Sequence, residues 1–230
     1  MGITGGRAYQ SRRNPALHSG AVDAQPRRGR FLTLEGPEGA GKTVLGQRLA
    51  TALVAAGQAV VLTREPGGTR LGERLRTILL EGGGRIDPRA DALLFNAARA
   101  QLVGEIIRPA LAAGQVVLCA RFADSTLAYQ GYGEGLPLPE LRTLAEVATG
   151  GLTPDRTFLL DLDPEIGLKR KGRADQTRFE ANFDLDFHRR VRAGFLELAA
   201  AEPERFRVID ASRDVLAVFA DLLLAAKEVA

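Results

Sequence analysis

The 230-residue chain is 45% hydrophobic and 26% charged, which is enough apolar material for one buried core and too little for two ordinary domains. Its formal net charge is only +3 and its basic and acidic residues are interspersed, so the composition argues against nucleic-acid binding. The single cysteine, Cys119, excludes an intrachain disulfide and fits a reducing, cytoplasmic compartment. No apolar run reaches the length of about 18 residues that a membrane span needs, so we expect no membrane partner.

The cysteine and the two histidines also limit the chemistry. Cys119 lies within an apolar run, so we expect a packed core thiol rather than a nucleophile. His18 and His188 are far apart in sequence and leave little from which a His/Cys metal site could be built.

The first thirty residues differ in composition from the rest of the chain. Residues 1–30 contain six arginines, one acid and almost no apolar periodicity, so they offer little surface to bury. We expect a disordered basic extension over residues 1–30 and one folded domain over residues 31–230. An anion-binding tail and an upstream start codon assigned in error are two open interpretations of the extension.

Short apolar runs alternate with helical patterns after the extension. The segments between the runs carry apolar residues at the 3.6-residue spacing of helices, with Gly57 placed to end one helix and Pro88 near the start of another. Pro109 predicts a kink or a boundary within that second helix. The alternation is typical of an α/β protein whose parallel sheet has helices on both faces. The runs that resemble buried strands are 31–35, 59–64, 116–119, 157–162 and 205–211.

The most specific motif follows the first predicted strand. The sequence GPEGAGKT, residues 36–43, matches the pattern G-x-x-x-x-G-K-[ST] of phosphate-binding loops. Its glycines let backbone N–H groups surround phosphate oxygens, Lys42 reaches the β- and γ-phosphates, and the Thr43 hydroxyl binds Mg²⁺. The motif indicates a nucleoside triphosphate with magnesium and leaves the reaction open. The residues assigned to triphosphate binding are Gly36, Pro37, Glu38, Gly39, Ala40, Gly41, Lys42 and Thr43.

Two further segments carry side chains that suit a ligand. The sequence TREPGGT, residues 63–69, places a second glycine-rich turn at the carboxyl edge of the predicted sheet, where open α/β folds bind ligands. Phe95 and Arg99 are four residues apart on one helical face, so a ring and a guanidinium would address the same ligand. Core packing beside a solvated charge is the commoner explanation for such a pair taken alone.

Together these segments resemble the thymidylate kinase family, and the likeness runs from about residue 31 to the C-terminus. The resemblance implies a P-loop NTPase fold, a three-layer α/β sandwich with a five-stranded parallel sheet and an arginine-bearing lid. It also implies a homodimer that transfers the γ-phosphoryl group of ATP to dTMP with Mg²⁺ and releases dTDP. The matching stretches are EGPEGAGKT, TREPGGT, FNAARAQ, RFADSTLAYQG, LLDLDPEIGLKR and TRFE.

The resemblance also implies a dTMP site. Arg121 matches the arginine that clamps the acceptor phosphate, and a planar guanidinium suits bidentate phosphate binding. Arg99 is similar to a second arginine that reaches this site, while Phe95 matches the ring that stacks on thymine. Tyr129 matches the tyrosine placed against the sugar, and Thr126 occupies a position near the polar edge of the base.

Two acidic residues in these segments receive different interpretations. Glu38, inside the phosphate loop, corresponds to the family's acid near the sugar 3′-hydroxyl and the metal. Asp124 is expected mainly to cap the helix that begins beside Ser125.

The lid, residues 168–180, resembles the bacterial form of the family, because Gly39 stands where another branch carries a loop arginine. Arg173 is our choice for stabilising the transition state, with Arg170 and Arg178 as alternatives. A solvated basic helix surface is a simpler explanation for any one of these side chains. The predicted catalytic residues are Lys42, Arg121 and Arg173.

Three positions depart from the family pattern. Ala120 stands where the family usually has Asp, Glu134 where it commonly has Arg, and Thr177 where it often has Asp. Each difference removes or inverts a charge near the predicted phosphates. For the acid missing at Ala120, we expect partial compensation from Glu38 in the loop and from Asp161 or Asp163 at the same sheet edge. A catalytically weakened nucleotide-binding relative is therefore the alternative to an active dTMP-phosphorylating enzyme. An enzyme for another deoxynucleoside monophosphate fits less well, because the predicted acceptor site suits thymidylate.

Overall fold

In the computed structural model, which describes residues 28–81, 84–171, 177 and 182–229, one sheet of five strands forms the centre of the fold. The strands are β1 (Phe31–Glu35), β2 (Val60–Arg64), β3 (Val116–Ala120), β4 (Arg156–Asp161) and β5 (Phe206–Asp210). They lie in the order β2-β3-β1-β4-β5, so the strand that leads into the phosphate loop is central. Every neighbouring pair is parallel, which confirms the predicted sheet.

Helices connect the strands and cover both faces of the sheet. They are α1 (Lys42–Ala55), α2 (Arg70–Arg76), α3 (Pro88–Leu102), α4 (Arg108–Ala112), α5 (Ala123–Thr126), α6 (Leu138–Thr149), α7 (Pro164–Arg170), α8 (Leu185–Ala201) and α9 (Val215–Lys227). Wider π-helical turns extend three of them, over Thr77–Glu81, Val103–Ile107 and Leu127–Gly133. Within the described ranges, no helix is both long and apolar enough to cross a membrane.

The prolines and the glycine that were predicted to mark helix ends lie at helix ends in the structure. Pro88 is the first residue of α3, and the Asp87 side chain caps that helix by accepting hydrogen bonds from two backbone N–H groups. Gly57 lies just beyond the last turn of α1 with a φ of 86°, a conformation that favours glycine. Pro109 lies in α4, directly after the π-helical turn that ends α3, so it marks a boundary.

Alternate side chains of β1 face opposite layers of the sandwich. Leu32 and Leu34 pack against α1 and α9, whereas Phe31 packs under α3 and α4. Thr33 and Glu35 share the face of Phe31 and are both 0% exposed. Buried polar side chains in a central strand need hydrogen-bond partners, and here the Thr33 hydroxyl pairs with that of Thr157 while Glu35 accepts from Phe122 and Ser125.

Cys119 is a buried free thiol, which confirms its predicted place in the core. Burial raises the pKa of this thiol well above its ordinary value, so the reactive thiolate form is disfavoured.

The chain makes its first described contacts with the domain just before β1. The backbone N–H of Gly29 donates to Leu111 O at 2.8 Å, and Arg28 pairs with Asp155 at 3.3 Å. Asp155 also accepts a hydrogen bond from the backbone N–H of Phe31 at 2.7 Å. The described contacts therefore begin before Phe31, while residues 1–27 of the predicted extension lie outside the described residues.

Candidate functional site

A pocket of about 630 Å³ lies at the carboxyl edge of the sheet. The segments that follow β1, β2 and β3 line it, as expected for ligand sites in parallel α/β folds. The structure thus brings segments that are far apart in sequence into one cavity. The predicted site residues that line this pocket, including the alternative lid arginine Arg170, are Glu38, Gly39, Gly41, Lys42, Thr43, Phe95, Arg121, Thr126, Tyr129 and Arg170.

The phosphate loop passes from β1 into α1 through backbone conformations that favour glycine. Gly39 has a φ of 72°, and a Cβ there would overlap the carbonyl oxygen of Gly167 in α7. Gly41 has a φ of 91° and stands at the N-cap position of α1. The N-terminus of this helix therefore opens onto the pocket with unpaired backbone N–H groups, an arrangement that favours anions.

Lys42 is turned toward its own loop. Its Nζ donates to Gly36 O at 2.8 Å and to Pro37 O at 2.7 Å. Burial and the nearby positive charge of Arg121 lower the pKa of Lys42 to about 7. A phosphate group at the loop would supply the opposite charge that restores the ammonium form.

Arg121 and Glu38 form the centre of the pocket. Arg121 Nη2 lies 2.6 Å from Glu38 Oε1 and donates to Tyr129 Oη at 3.0 Å. The Tyr129 hydroxyl donates to the same Glu38 oxygen at 2.9 Å. The Arg121 guanidinium is therefore paired with the carboxylate of Glu38 and the hydroxyl of Tyr129.

Glu38 is held by positive charge on several sides. Lys171 Nζ lies 3.4 Å from Glu38 Oε2, opposite the contact with Arg121. Burial alone would raise the pKa of Glu38, but Arg121, Lys42 and Lys171 outweigh it and hold the pKa well below its usual range. The surroundings of Glu38 therefore favour its ionised form.

The lid residues differ in what the structure shows of them. Arg170 donates to Ala211 O at 3.0 Å and to Ser212 O at 3.3 Å, so its guanidinium is engaged beyond the end of β5. Arg173 and Arg178 lie outside the described residues. The choice among the three arginines therefore stays a prediction.

Arg99 lies behind the pocket wall rather than in its lining. Its side chain is 1% exposed, and Nη1 donates to Asn96 Oδ1 at 2.8 Å. Nη2 donates to Phe122 O at 3.0 Å and to Thr126 Oγ1 at 3.1 Å. In this structure Arg99 therefore contacts the pocket indirectly, by holding Thr126, which lines it.

The prediction that Asp124 caps a helix is wrong. The N-cap position of α5 is Phe122, and no side chain caps it. Asp124 instead accepts two hydrogen bonds from Arg205, at 2.7 and 2.9 Å. Arg205 reaches Asp124 from the segment before β5, and a buried bidentate ion pair is stronger than a helix cap.

The predicted compensation by Asp161 or Asp163 is also wrong. Arg192 donates to both oxygens of Asp161, at 2.7 and 2.8 Å, and lies 3.6 Å from Asp163. Asp163 also caps α7 through the backbone N–H of Glu165. Neither acid lines the pocket, and both form ion pairs with Arg192 of α8.

The three atypical positions lie at or near the site. Ala120 and Thr177 line the pocket. The carbonyl of Ala120 accepts a hydrogen bond from the backbone N–H of Glu65 at 2.9 Å, which joins the ends of β3 and β2. Glu134 lies 3.5 Å from Gln130 Nε2, and Gln130 itself lines the pocket.

Several residues that line the pocket were not predicted as site residues. Arg64 and Glu65 lie within the motif TREPGGT, so a signal was present, although no role was predicted for either residue. Arg76 follows on α2, where it donates to Pro66 O at 2.9 Å, and no local pattern distinguishes it from a surface arginine. The missed lining residues include Arg64, Glu65, Arg76, Ser125 and Gln130.

Comparisons with known proteins give one consistent result. The family model described as thymidylate kinase matches residues 34–222. The thymidylate kinase of Deinococcus radiodurans is 58% identical over 185 residues, which cover 80% of this chain and 90% of that protein. The thymidylate kinase of Bifidobacterium longum is 52% identical over 206 residues, with coverages of 88% and 99%. The crystal structure of thymidylate kinase from Ehrlichia chaffeensis matches with a TM-score of 0.71 and 33% identity, covering 86% of this chain and 99% of that one.

Proposed function

The chain belongs to the thymidylate kinase family, and from this premise we propose that it transfers the γ-phosphoryl group of ATP to dTMP to give dTDP. The observation that carries the proposal is that Lys42 of the phosphate loop and Arg121 line one pocket. One cation thus stands where a triphosphate would bind and the other where an acceptor phosphate would bind. Phosphoryl transfer depends mainly on such positioning and on neutralising charge.

The donor side consists of the phosphate loop and the first turn of α1. Backbone N–H groups of residues 38–43 would surround the ATP phosphates, and Lys42 would leave the carbonyls of Gly36 and Pro37 to contact them. The helix N-terminus adds a partial positive charge on the same side.

The acceptor side consists of Arg121 and the side chains around it. The dTMP phosphate would replace Glu38 on the Arg121 guanidinium and free the carboxylate for the sugar 3′-hydroxyl. Phe95 would stack on thymine, Tyr129 would contact the sugar, and Thr126 would face the polar edge of the base. The support for these roles is that all of these side chains line the same pocket.

The oxygen groups at the loop fit Mg²⁺. Mg²⁺ in phosphate-transfer sites keeps several waters and takes few protein ligands, so a cluster of acids is not required, and the described residues contain none. Thr43 would hold the ion, with Glu38 nearby in the pocket. When bound with ATP, the ion supplies charge neutralisation on the phosphates.

The lid would complete the site when both nucleotides are bound. Arg173 remains our choice for stabilising the transferring phosphoryl group, with Arg170 and Arg178 as alternatives. Lys171 supports this placement of the lid, because it already contacts Glu38 of the phosphate loop.

We also propose a homodimer in the cytoplasm, formed by the domain over residues 31–230 with residues 1–30 as an extension. The homodimer is what the resemblance to the family implies, and the exposed apolar side chains Leu93 on α3 and Val147 on α6 would be candidate contacts in it. The free thiol of Cys119 suits a reducing compartment. Sedimentation equilibrium decides the subunit number, and deletion of residues 1–27 without loss of activity would support the domain division.

The proposed reaction is tested by measuring ADP release with ATP, Mg²⁺ and each nucleoside monophosphate in turn. We expect release with dTMP well above that with AMP, GMP or CMP. An absence of release with dTMP, while both nucleotides still bind, would favour the weakened relative instead. The comparisons give that alternative no support, since the chain retains high identity to thymidylate kinases over most of its length.

A further inference from the structure

The backbone of Arg121 has an unusual conformation. Its φ is 68°, and no other described residue except glycine has a positive φ. Residues with a Cβ disfavour this left-handed region, so they adopt it only where surrounding contacts hold them there. The position of the Arg121 guanidinium in the pocket therefore depends on the contacts that hold its backbone in this conformation.

The peptide groups on both sides of Arg121 are held by hydrogen bonds. The backbone N–H of Arg121 donates to Leu34 O at 2.9 Å. Its carbonyl accepts from Cys119 Sγ at 3.1 Å, and the N–H of the following residue, Phe122, donates to Glu35 Oε1 at 2.7 Å. The peptide between Arg121 and Phe122 is therefore fixed at both its oxygen and its nitrogen, with Glu35 as the stronger partner.

Glu35 also reaches the side chain of the arginine through one intermediate. Its second oxygen, Oε2, accepts a hydrogen bond from Ser125 Oγ at 2.6 Å. Ser125 Oγ in turn accepts from Arg121 Nη1 at 3.2 Å. One carboxyl group thus holds the backbone and orients the guanidinium of the same arginine.

Glu35 cannot contact a ligand in the pocket directly, so any effect on the site must pass through the residues that it contacts. It is 0% exposed at the end of β1 and does not line the pocket. We propose that Glu35 is a positioning residue, which holds Arg121 in its left-handed conformation and so presents the guanidinium to the acceptor phosphate of the proposed reaction.

The surroundings of Glu35 show that its burial is unfavourable by itself. Burial and the nearby carboxylate of Asp124 raise the pKa of Glu35 to about 7, although Ser125, Arg121 and the Phe122 N–H act in the opposite direction. An apolar side chain would avoid this desolvation. The two short hydrogen bonds offset it, which gives the acid a structural reason to be there.

The test compares Glu35→Met, Glu35→Gln and a control, Thr33→Val. Methionine keeps most of the volume and removes both acceptors, whereas glutamine keeps a carbonyl for the Phe122 N–H. Thr33 lies on the same strand and face, and its buried hydroxyl contacts Thr157 Oγ1 at 2.8 Å without touching the segment around Arg121. Two readouts are used: amide hydrogen exchange at Phe122 without ligand, and dissociation constants for dTMP, thymidine and ATP.

We expect Glu35→Met to lose protection of the Phe122 amide and to bind dTMP about tenfold more weakly, as expected when a left-handed residue is released. Binding of ATP and of thymidine, which has no phosphate for Arg121, should stay unchanged. Thr33→Val should resemble the wild type in both readouts. Glu35→Gln should keep the protection of the Phe122 amide but weaken dTMP binding by less than Glu35→Met does, because its amide nitrogen cannot accept the hydrogen bond from Ser125 Oγ.

A protected Phe122 amide in Glu35→Met, or an equal loss for dTMP and thymidine, would overturn the proposal. If Glu35→Met does not fold, Glu35→Asp gives the same test, because its shorter side chain withdraws the oxygens from Phe122 and keeps the carboxyl. The wild-type protein tests the proposed function through dTMP binding. The exchange measurement tests the contact at Phe122 even if that function fails.

Discussion

Arg99 and Glu65 form an ion pair that is almost completely shielded from solvent, with Glu65 in the pocket wall and Arg99 behind it. Arg99 Nη2 lies 2.8 Å from Glu65 Oε2, and the two side chains are 1% and 3% exposed. Burial raises the pKa of Glu65 to about 7 even though Arg99 acts in the opposite direction. The pair joins the segment after β2 to α3, and the same guanidinium supports Thr126 at the pocket.

Replacement of Arg99 by Ala should destabilise the fold by about 3–5 kcal/mol, because it leaves a buried acid without its partner. Urea unfolding measures the change. The matched control is Arg89→Ala on the same helix, whose ion pair with Glu140 is exposed at 67% and 53% and should contribute about 0–1 kcal/mol. Equal effects of the two substitutions would contradict the role assigned to burial.

Replacement of Arg121 by Ala should raise the Michaelis constant for dTMP and lower the rate while ATP binding survives. The reason is that Arg121 faces the proposed acceptor phosphate and Lys42 the donor phosphates. Steady-state kinetics with each substrate varied in turn measures this division. Lys42→Ala is the control with the opposite pattern, and an equal loss of ATP affinity in Arg121→Ala would refute the assignment.

Replacement of Ala120 by Asp should raise the rate at low Mg²⁺. An acid at the end of β3 would orient the metal-bound waters and support Arg121, and such outer partners are typically worth about 10- to 100-fold. Asp161 and Asp163 do not supply this group, because Arg192 engages both. A titration of activity against Mg²⁺ gives the answer; an unchanged or slower enzyme means that the acid is not needed here.

Replacement of Glu35 by Gln should change how stability depends on pH. The pKa of Glu35 is raised from 4.5 to about 7 on folding, so the folded chain binds the extra proton and the contribution of Glu35 grows as pH falls through this window. Glu35→Gln should therefore flatten the rise in stability between about pH 7 and pH 4.5. Glu38 acts in a separate window, since its pKa is lowered and its contribution is lost only below about pH 4.5. Urea unfolding of both proteins across this range measures the slopes, and identical slopes would contradict the prediction.

Replacement of Arg173 by Ala should cut turnover with little change in nucleotide binding, by about 10³-fold if this side chain acts as arginine fingers do. Single-turnover kinetics separates the chemical step from binding. Arg170→Ala is the comparison, because its guanidinium contacts the carbonyls of Ala211 and Ser212. A larger loss in Arg170→Ala or Arg178→Ala would move the catalytic role to that residue.

The strands, the parallel sheet and the phosphate loop could all be predicted from the amino-acid sequence. Phe31–Glu35 forms a buried strand because it is a short, mostly apolar run. The loop after it forms because its glycines permit positive φ angles. These signals are local, so neighbouring residues suffice to show them. The motifs after β1, β2 and β3 also predicted one ligand site, because parallel strands end at the same edge.

The partners of the charged side chains became visible only in the folded chain. Arg99 lies behind the pocket wall and pairs with Glu65 in its lining, and Asp124 pairs with Arg205, 81 residues away. Glu35 reaches Phe122 across 87 residues. A charged residue carries no local signal for its partner, because the partner is chosen by where the folded chain places a complementary group out of water.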